Sequence, residues 1–362
     1  MSAQSHFTHL PHPAPTAAEV RAAVLADPGF GKSFTDHMIL IDWSEEAGWH
    51  NATLAPYGPI PLDPAASVLH YAQEIFEGLK AYRLQDGGIA LFRPEANAQR
   101  FNASARRLAM PEIDESLFVD AIRELVAADA DWFPTVEGGS LYLRPFMIAT
   151  EAFLGVRPAK SYKFIVIASP AGNYFKSGAP AVSIWVSDYT RAAPGGTGAA
   201  KCGGNYAASL VPTAEAFAKG HDQVLFLDAA EHKWIEELGG MNLFFVFADG
   251  SLITPALTGT ILPGITRDSL LALAREEGLT VREERYSLDA WRADAASGKL
   301  VEAFACGTAA VVTPVGKVAD HDGEFVIGSG GPGQLTQKLK SRLVAIQRGE
   351  APDPHGWVMR LA

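Results

Sequence analysis

The alternation of apolar and polar positions divides the chain into strand-like runs and helix-like stripes. Short runs rich in β-branched and aromatic residues predict strands in the first half at 34–43, 89–92, 140–148 and 163–169. Similar runs predict strands in the second half at 181–186, 223–228, 234–237, 242–247, 301–305 and 310–314. Asp249-Gly250 lies between Phe247 and Leu252 and predicts a hairpin turn, since this dipeptide adopts the positive φ angles that tight hairpins need.

Apolar residues at helical spacing predict helices between these runs. The predicted helices cover 16–25, a stretch opened by Pro94, a stretch capped by Ser116, 205–219 and 266–277. Thr16 and Ser116 are expected to act as N-caps through their hydroxyl groups. The expected buried stripes are Phe101, Ala105 and Leu108 in one helix, and Leu117, Ala121, Leu125 and Ala128 in the next.

Strands occur in clusters with helices between them, and no clean βαβ alternation is present. This order predicts an α/β chain of the mixed α+β kind. A length of 362 residues suggests about two domains of roughly 150 residues each. The predicted division is a small N-terminal domain at 1–170, a linker at 171–181 and a large C-terminal domain at 182–362, because the linker region holds Pro, Gly, Asn and Ser but few core residues.

Composition and charge indicate which kinds of molecule the chain is not expected to bind. The net charge of −11 disfavours nucleic acid and anionic membranes, whereas a few local arginines can still hold a small anion. The two cysteines form no CxxC pair, and the histidines of the N-terminal arm lack metal-site spacing, so no metal is expected. The chain shows no secretory h-region and no apolar run near the ~20 residues that span a bilayer, so a cytoplasmic location is expected.

The run from Gly195 to Tyr206 surrounds Lys201 with glycine and alanine. Such space would let a planar cofactor approach the amine, and a partly desolvated lysine can form a Schiff base. A solvated loop lysine is the alternative, because glycine-rich segments are usually loops. A nucleotide-binding loop is excluded, since Ala200 and Cys202 replace the Gly and Ser/Thr that must flank its lysine.

A pyridoxal phosphate site needs an amine, an anion cup and a carboxylate facing the pyridine nitrogen. Gly264 and Thr266 stand where a predicted helix begins, which favours phosphate through free N–H groups, although a plain capped Pro-Gly turn fits equally. The small-residue turn at Gly307-Thr308 is a second candidate set of donors for the phosphate. Glu237 is the candidate carboxylate. Strand alternation places Glu236 and Glu237 on opposite faces, so one of them is expected to face water and the other a buried ring.

Two arginines stand in otherwise apolar surroundings. Arg144 shares a predicted strand face with Tyr142, where the two could hold a carboxylate, or Arg144 could point to solvent. Arg100 lies on a helix face away from Phe101, where it could pair with phosphate or be solvated.

Four motifs occur together in order: Phe76–Ala81, Lys201–Tyr206, Glu237–Asn242 and Leu262–Ile265. From about Phe30 onward the chain closely resembles branched-chain amino acid aminotransferases of the larger, mammalian-like subgroup of the class IV pyridoxal-phosphate-dependent family. The resemblance implies fold-type IV, two α/β domains with the active site at their interface, and a homodimer. It implies pyridoxal 5'-phosphate as cofactor and transfer of the amino group of L-Leu, L-Ile or L-Val to 2-oxoglutarate. Another fold-type IV enzyme, a D-amino acid transaminase or aminodeoxychorismate lyase, is the closest alternative, and a non-catalytic cofactor carrier is a more distant one.

The resemblance also implies residue roles. Lys201 would be the catalytic residue that binds the cofactor and moves the substrate proton, Glu237 would pair with the pyridine nitrogen, and Tyr206 would bond the ring hydroxyl. The remaining cofactor contacts, mostly to phosphate, would come from Arg100, Gly264, Ile265, Thr266, Gly307 and Thr308. The substrate would contact Phe30, Tyr71, Phe76, Tyr142, Arg144, Tyr174, Thr308 and Ala309.

The chain departs from the family pattern at two places. The mammalian CxxC pair is replaced by Ala310 and Thr313, so thiol regulation is not expected there. Gly240 stands where relatives have Thr, which removes one hydroxyl contact.

Overall fold

The computed structural model describes residues 7–172 and 180–361 and contains two compact units. The described part of the first unit is 7–172 with 200–203 and 346–361, and that of the second is 180–199 with 204–345. Two short segments of the later sequence therefore pack with the N-terminal unit. The division at 1–170, 171–181 and 182–362 stays a prediction.

The strands, in chain order, are β1 (Thr8–His9), β2 (His37–Ser44), β3 (Gly48–Pro56), β4 (Glu74–Phe76), β5 (Leu79–Arg83), β6 (Ile89–Phe92), β7 (Ser140–Ala149), β8 (Ser161–Ala171), β9 (Val182–Val186), β10 (Gln223–Leu227), β11 (Ile235–Leu238), β12 (Asn242–Phe247), β13 (Ser251–Thr254), β14 (Thr280–Glu283), β15 (Leu300–Gly307), β16 (Val311–Asp320), β17 (Gly323–Val326) and β18 (Val358–Leu361). The helices are α1 (Ala18–Ala26), α2 (Ser67–Tyr71), α3 (Pro94–Arg107), α4 (Glu115–Ala128), α5 (Gly203–Ala207), α6 (Leu210–Ala218), α7 (Ile265–Glu276), α8 (Leu288–Ala296) and α9 (Gln334–Gln347). Each unit mixes helices with a sheet, which confirms the predicted mixed α/β class.

The sheet of the first unit runs in the order β1-β3-β2-β8-β7-β5-β6-β18, with β4 beside β7. The C-terminal strand β18 pairs antiparallel with β6 and so extends the sheet beyond that strand. Helices α3 and α4 cover one face, where the rings of Phe101, Phe118 and Phe164 meet with centroids 5.4–5.6 Å apart. All three rings are fully buried.

The sheet of the second unit runs in the order β11-β10-β9-β16-β15-β12-β13-β14, with β17 beside β16. Strand β9 is parallel to both of its neighbours, whereas β12 and β15 are antiparallel. Every residue of β12 is buried. Trp291 of α8 is fully buried with its ring edge-on to Phe245, 4.9 Å between centroids.

The predicted strands are confirmed, including β6 and β12 at the expected bounds. The Asp249-Gly250 turn joins the antiparallel pair β12 and β13, and Asp249 accepts hydrogen bonds from the N–H and hydroxyl of Ser251. Among the described residues, every helix is too short or too polar to cross a lipid bilayer.

The single helix predicted at 205–219 is instead two helices, α5 and α6, separated at 208–209. Pro212 explains the break. In a continuous helix its ring would clash with the carbonyl of Ala208, but in the first turn of α6 its missing N–H is tolerated. The hydroxyl of Ser209 donates to the Tyr206 carbonyl at 2.7 Å and closes the end of α5.

Both predicted N-caps are wrong. Helix α1 begins at Ala18, and Thr16 uses its N–H and hydroxyl on Asp36 instead, at 3.0 and 2.6 Å. Ser116 lies inside α4, after the N-cap position Asp114. In the stripe of α4, Ala121 and Leu125 are buried as expected, Leu117 is half-buried and Ala128 is exposed, since the helix ends there at the surface.

The loop between β10 and β11 is organised by Asp228. Its carboxylate accepts hydrogen bonds from the backbone N–H groups of Ala230, Glu231, Lys233 and Trp234 at 2.8–3.2 Å. Burial raises the pKa of this carboxyl, but the four donors outweigh burial and lower the pKa from 3.8 to about 2.

We expect Asp228→Asn to lower the free energy of unfolding by about 1–2 kcal/mol at pH 7, because the amide forms weaker bonds than the carboxylate. Since the folded-state pKa is below the unfolded one, the wild-type advantage should be complete above about pH 4 and disappear as the pH falls toward about 2. Urea unfolding at pH 7 and at low pH measures the difference in the free energy of unfolding between the wild type and the variant. Asp322→Asn, on an exposed turn, serves as the control, and an equal loss at pH 7 in both variants would contradict the assignment.

Candidate active site

The backbone around Lys201 is fixed by residues of the first unit. The N–H of Phe76, at the end of β4, donates to the Lys201 carbonyl at 2.9 Å. The N–H of Lys201 donates to the hydroxyl of Ser104 on α3, also at 2.9 Å. Two residues later, the N–H of Gly203 donates to the carboxylate of Glu74. The backbone of this segment, distant in sequence, is therefore held beside β4 and α3 by one bond from the Phe76 backbone and two bonds to the side chains of Ser104 and Glu74.

The amine of Lys201 lies in a mixed apolar and charged environment. Its Nζ is 4.7 Å from the centroid of the Phe76 ring. Burial, followed by the nearby guanidinium of Arg100, lowers the pKa of Lys201 to about 8, while Glu77 acts in the opposite direction. An amine with such a pKa is partly neutral near pH 8 and can act as a nucleophile or base. The solvated-loop alternative is therefore not favoured.

Arg100 is buried and bound to a carboxylate. Its Nε and Nη2 donate to the two oxygens of Glu77, at 2.7 and 2.8 Å. Asn97, one turn earlier on α3, donates to Glu77 Oε2 at 2.7 Å. The expectation that Arg100 could be simply solvated is wrong, because α3 turns it toward the carboxylate rather than toward water.

Tyr142 and Arg144 form a cluster with two aromatic rings. Arg144 Nη2 donates to the Tyr142 hydroxyl at 3.2 Å, and its guanidinium carbon lies 4.7 Å from the centroid of the Phe76 ring. The ring of Phe30 meets Tyr142 edge-on at 4.9 Å between centroids. A Cβ at Gly78 would stand 2.2 Å from the Tyr142 hydroxyl oxygen, so any other residue there would displace the Tyr142 ring. Arg144 thus packs on rings instead of pointing to solvent.

Two of the expected substrate contacts, Tyr71 and Tyr174, stay predictions. Tyr71 lies at the end of α2, and its hydroxyl donates to the Leu154 carbonyl. The residue is 38% exposed. Tyr174 lies outside the described residues.

Glu237 is buried in the second unit, 3% exposed, and forms an ion pair with the buried Arg191. The N–H of Leu262 donates to Glu237 Oε1 at 3.3 Å. The expectation that Glu236 or Glu237 faces water is wrong. Glu236 is only 5% exposed and accepts from the Thr260 hydroxyl, because the segment before α7 covers this part of β11.

The predicted anion cup falls at the N-terminus of α7. Gly264 is its N-cap, Ile265 is its first residue, and Thr266 is buried in its first turn. A Cβ at Gly264 would stand 2.0 Å from Oδ1 of Asn242, so a larger residue there would displace the Asn242 amide. Asn242 itself donates to the Leu262 carbonyl at 3.1 Å and fixes the turn.

The second expected turn of this unit follows β15. Gly307 is the last residue of that strand, and Thr308 and Ala309 form the turn that leads to β16. At Gly240, a Cβ would stand 3.7 Å from the Tyr206 ring, which is ordinary contact. The backbone therefore tolerates a side chain at Gly240.

Sequence reasoning missed several buried polar residues: Glu77, Asn97, Ser104 and Arg191. One signal could have found some of them. Asn97, Arg100 and Ser104 follow one another at i, i+3 and i+7, a polar stripe at helical spacing on α3. Arg191 gave no such signal, because its partner Glu237 is far along the chain.

Comparison with known proteins identifies the family of the chain. The family model described as amino-transferase class IV matches residues 74–318. The branched-chain-amino-acid aminotransferase of Mycolicibacterium smegmatis is 57% identical over 360 residues, covering 98% of each chain. The enzyme of the same name from Mycobacterium tuberculosis is 56% identical over 365 residues, covering 99% of each.

Solved structures give the same result. The branched-chain amino acid aminotransferase of Escherichia coli superposes with a TM-score of 0.76 at 30% identity, over 90% of this chain and 99% of that one. The T.th. branched-chain amino acid aminotransferase, solved with pyridoxamine 5'-phosphate, gives a TM-score of 0.73 at 29% identity, over 89% of this chain and 98% of that one. The matched family region contains Lys201, Glu237 and the N-terminus of α7, and the chain belongs to the amino-transferase class IV family.

Proposed function

We propose that this chain is a branched-chain amino acid aminotransferase that moves the amino group of L-Leu, L-Ile or L-Val to 2-oxoglutarate. The names of the relatives support this substrate class over nearly the whole chain. The observation that carries the chemistry is the Lys201 amine, held beside Phe76 with a pKa lowered to about 8.

The residues present fit pyridoxal 5'-phosphate. The cofactor would supply an electron sink for the electrons of the substrate α-carbon. Lys201 would hold it through its amine, and Glu237 would face the ring nitrogen. The N-terminus of α7, with Gly264, Ile265 and Thr266, would hold the phosphate, as would Arg100 and the Gly307-Thr308 turn. The buried carboxylate of Glu237 is the acceptor that a protonated ring nitrogen requires. The N–H groups at the start of α7, next to Gly264, are the donors that a phosphate requires.

Lys201 would also carry the proton. In its neutral form, Nζ accepts the proton that leaves the substrate α-carbon, and in its charged form it returns one. A pKa of about 8 places both forms within reach near neutral pH, which is the condition for efficient general acid–base catalysis. The hydrogen bonds from Phe76 and to Ser104 keep the backbone of Lys201 in one place during both transfers.

The aromatic and cationic side chains would account for dual specificity. Phe30, Phe76 and the Tyr142 ring offer apolar contact to a branched side chain, worth about 1.5–3 kcal/mol for full burial. Arg144, with the Tyr142 hydroxyl, offers charged hydrogen bonds to the side-chain carboxylate of glutamate or 2-oxoglutarate. When leucine is bound, Arg144 keeps its contacts with the two rings and is not left in a purely apolar space.

The proposal includes a homodimer and a cytoplasmic location. The first is what the family resemblance implies, and the second is the location expected from the sequence.

Addition of L-leucine to the purified, cofactor-loaded protein should bleach its visible absorption, and 2-oxoglutarate should restore it, because the amino group is passed in two half-reactions. A spectrophotometer measures both steps. If D-alanine bleaches the absorption and L-leucine does not, the branched-chain assignment is wrong and the D-amino acid alternative is favoured.

Lys201→Ala should lower transamination of leucine by more than about a thousandfold, because proton transfer alone contributes about 10²–10⁴-fold. Lys219→Met is the matched control, since Lys219 also lies over an aromatic ring, 4.3 Å from Trp185, but on the surface. Steady-state rates of glutamate formation measure both. Multiple turnovers at near wild-type rate in Lys201→Ala would remove the lysine assignment.

Arg144→Met should lower kcat/KM for 2-oxoglutarate by roughly 10- to 100-fold, because a charged hydrogen bond contributes about 1.5–3 kcal/mol. For leucine the change should stay within about threefold, since methionine keeps the apolar contact. Arg83→Met is the control. The guanidinium of Arg83 also lies over a ring, that of Phe133, but it donates hydrogen bonds to backbone carbonyls. Equal losses for leucine and 2-oxoglutarate would contradict the role of Arg144.

A further inference from the structure

Glu77 is a fully buried acid for which the reaction outlined above has no use. It is 0% exposed and follows Phe76 directly in the chain. Its Oε1 accepts from Arg100 Nε at 2.7 Å, and its Oε2 accepts from Arg100 Nη2 at 2.8 Å. Asn97 Nδ2 and the N–H of Gly78 also donate to Oε2, at 2.7 and 3.1 Å.

These bonds keep Glu77 ionised. Burial raises the pKa of its carboxyl, but the charge and hydrogen bonds of Arg100 outweigh burial, so the pKa is lowered. A buried charge without partners would be strongly disfavoured, and here both oxygens are bonded by donors. The carboxylate and the guanidinium therefore form a single fixed unit with no net charge.

The pair restricts the orientation of Arg100 more than its position. A guanidinium is planar, and two parallel hydrogen bonds along one edge fix the plane as well as the direction of its other donors. The backbone of the same helix is anchored one turn later, where Ser104 donates to the Arg100 carbonyl at 3.1 Å and accepts the N–H of Lys201 at 2.9 Å. Arg100 is thus oriented by Glu77 and held in register with Lys201 by Ser104.

We propose that Glu77 is a positioning residue that orients the guanidinium of Arg100 for the phosphate of the cofactor. The inference rests on the proposed function, because it takes Arg100 as a phosphate ligand. Without the Glu77 carboxylate, Arg100 would remain buried but lose the two bonds that set its plane. Recognition of the phosphate should suffer, whereas recognition of the pyridine ring should not.

The test uses full-length protein stripped of cofactor and measures the Kd of pyridoxal 5'-phosphate and of pyridoxal, which lacks the phosphate. In Glu77→Gln, we expect the affinity for pyridoxal 5'-phosphate to fall roughly 10- to 100-fold, the range for loss of a charge-assisted bond. The affinity for pyridoxal should change by less than about threefold. An unchanged or increased preference for the phosphorylated form would overturn the proposal.

A double-variant comparison tests whether Glu77 acts through Arg100. In an Arg100→Gln background, adding Glu77→Gln should weaken binding of pyridoxal 5'-phosphate by less than about threefold more, because the group that Glu77 orients is already gone. Full additivity of the two losses would show that Glu77 acts independently and would overturn the positioning role.

Asp129→Asn is the matched control for loss of a buried carboxylate in the same unit. Asp129 is 2% exposed and accepts from the N–H and the ring of His37, away from Arg100. It should leave the preference for pyridoxal 5'-phosphate over pyridoxal unchanged, and an equal fall in this control would overturn a specific role for Glu77.

If Glu77→Gln does not fold by circular dichroism, Glu77→Asp takes its place. It retains the charge but retracts the carboxylate by one methylene, so a smaller fall in the same preference is expected, and no fall would overturn the proposal.

The wild-type protein separates the cofactor assignment from the role of Glu77. Failure to prefer pyridoxal 5'-phosphate over pyridoxal would contradict the cofactor assignment itself. A normal preference in the wild type that Glu77→Gln retains would contradict only the role of Glu77.

Discussion

The ion pair between Glu77 and Arg100 is the constraint on which the polar arrangement of the first unit depends. A carboxylate and a guanidinium without water require full hydrogen bonding, and the donors come from β4–β5 and α3. Helix α3 must therefore lie with its polar stripe facing the end of β4. The same stripe then presents Ser104 to the backbone of Lys201. The placement of the lysine follows from how a buried charge is satisfied.

The second unit uses the same principle with other residues. Glu237 on β11 is buried against Arg191, and Arg191 also donates to the carbonyl of Thr260. The Leu262 N–H completes the set. These contacts connect β11 to the segment that leads into α7, so the buried acid and the helix N-terminus are fixed relative to each other. In both units, a buried ion pair orders a loop that carries proposed functional groups.

Local patterns predicted most of the secondary structure and failed where competing contacts exist. Strand runs such as 89–92 and 242–247 match their predicted bounds, because a short, uninterrupted run of apolar and aromatic residues is a property of the segment itself. The cap at Thr16 failed because Asp36, twenty residues away, takes both of its donors. Pro212 signals the break before α6, but the apolar spacing that predicts a single helix continues across it.

The sequence by itself determined the α/β class, most element positions, the family resemblance and the identity of Lys201 and Glu237 as candidates, because these depend on residue type and spacing along the chain. Only the tertiary structure decided that Arg100 is held by Glu77, that Glu236 and Glu237 are both buried, and that the Tyr71 hydroxyl donates to the Leu154 carbonyl. Each of these facts depends on which distant segment covers a residue. Burial and partner choice set the charge state and orientation of a polar side chain, and a linear pattern contains neither.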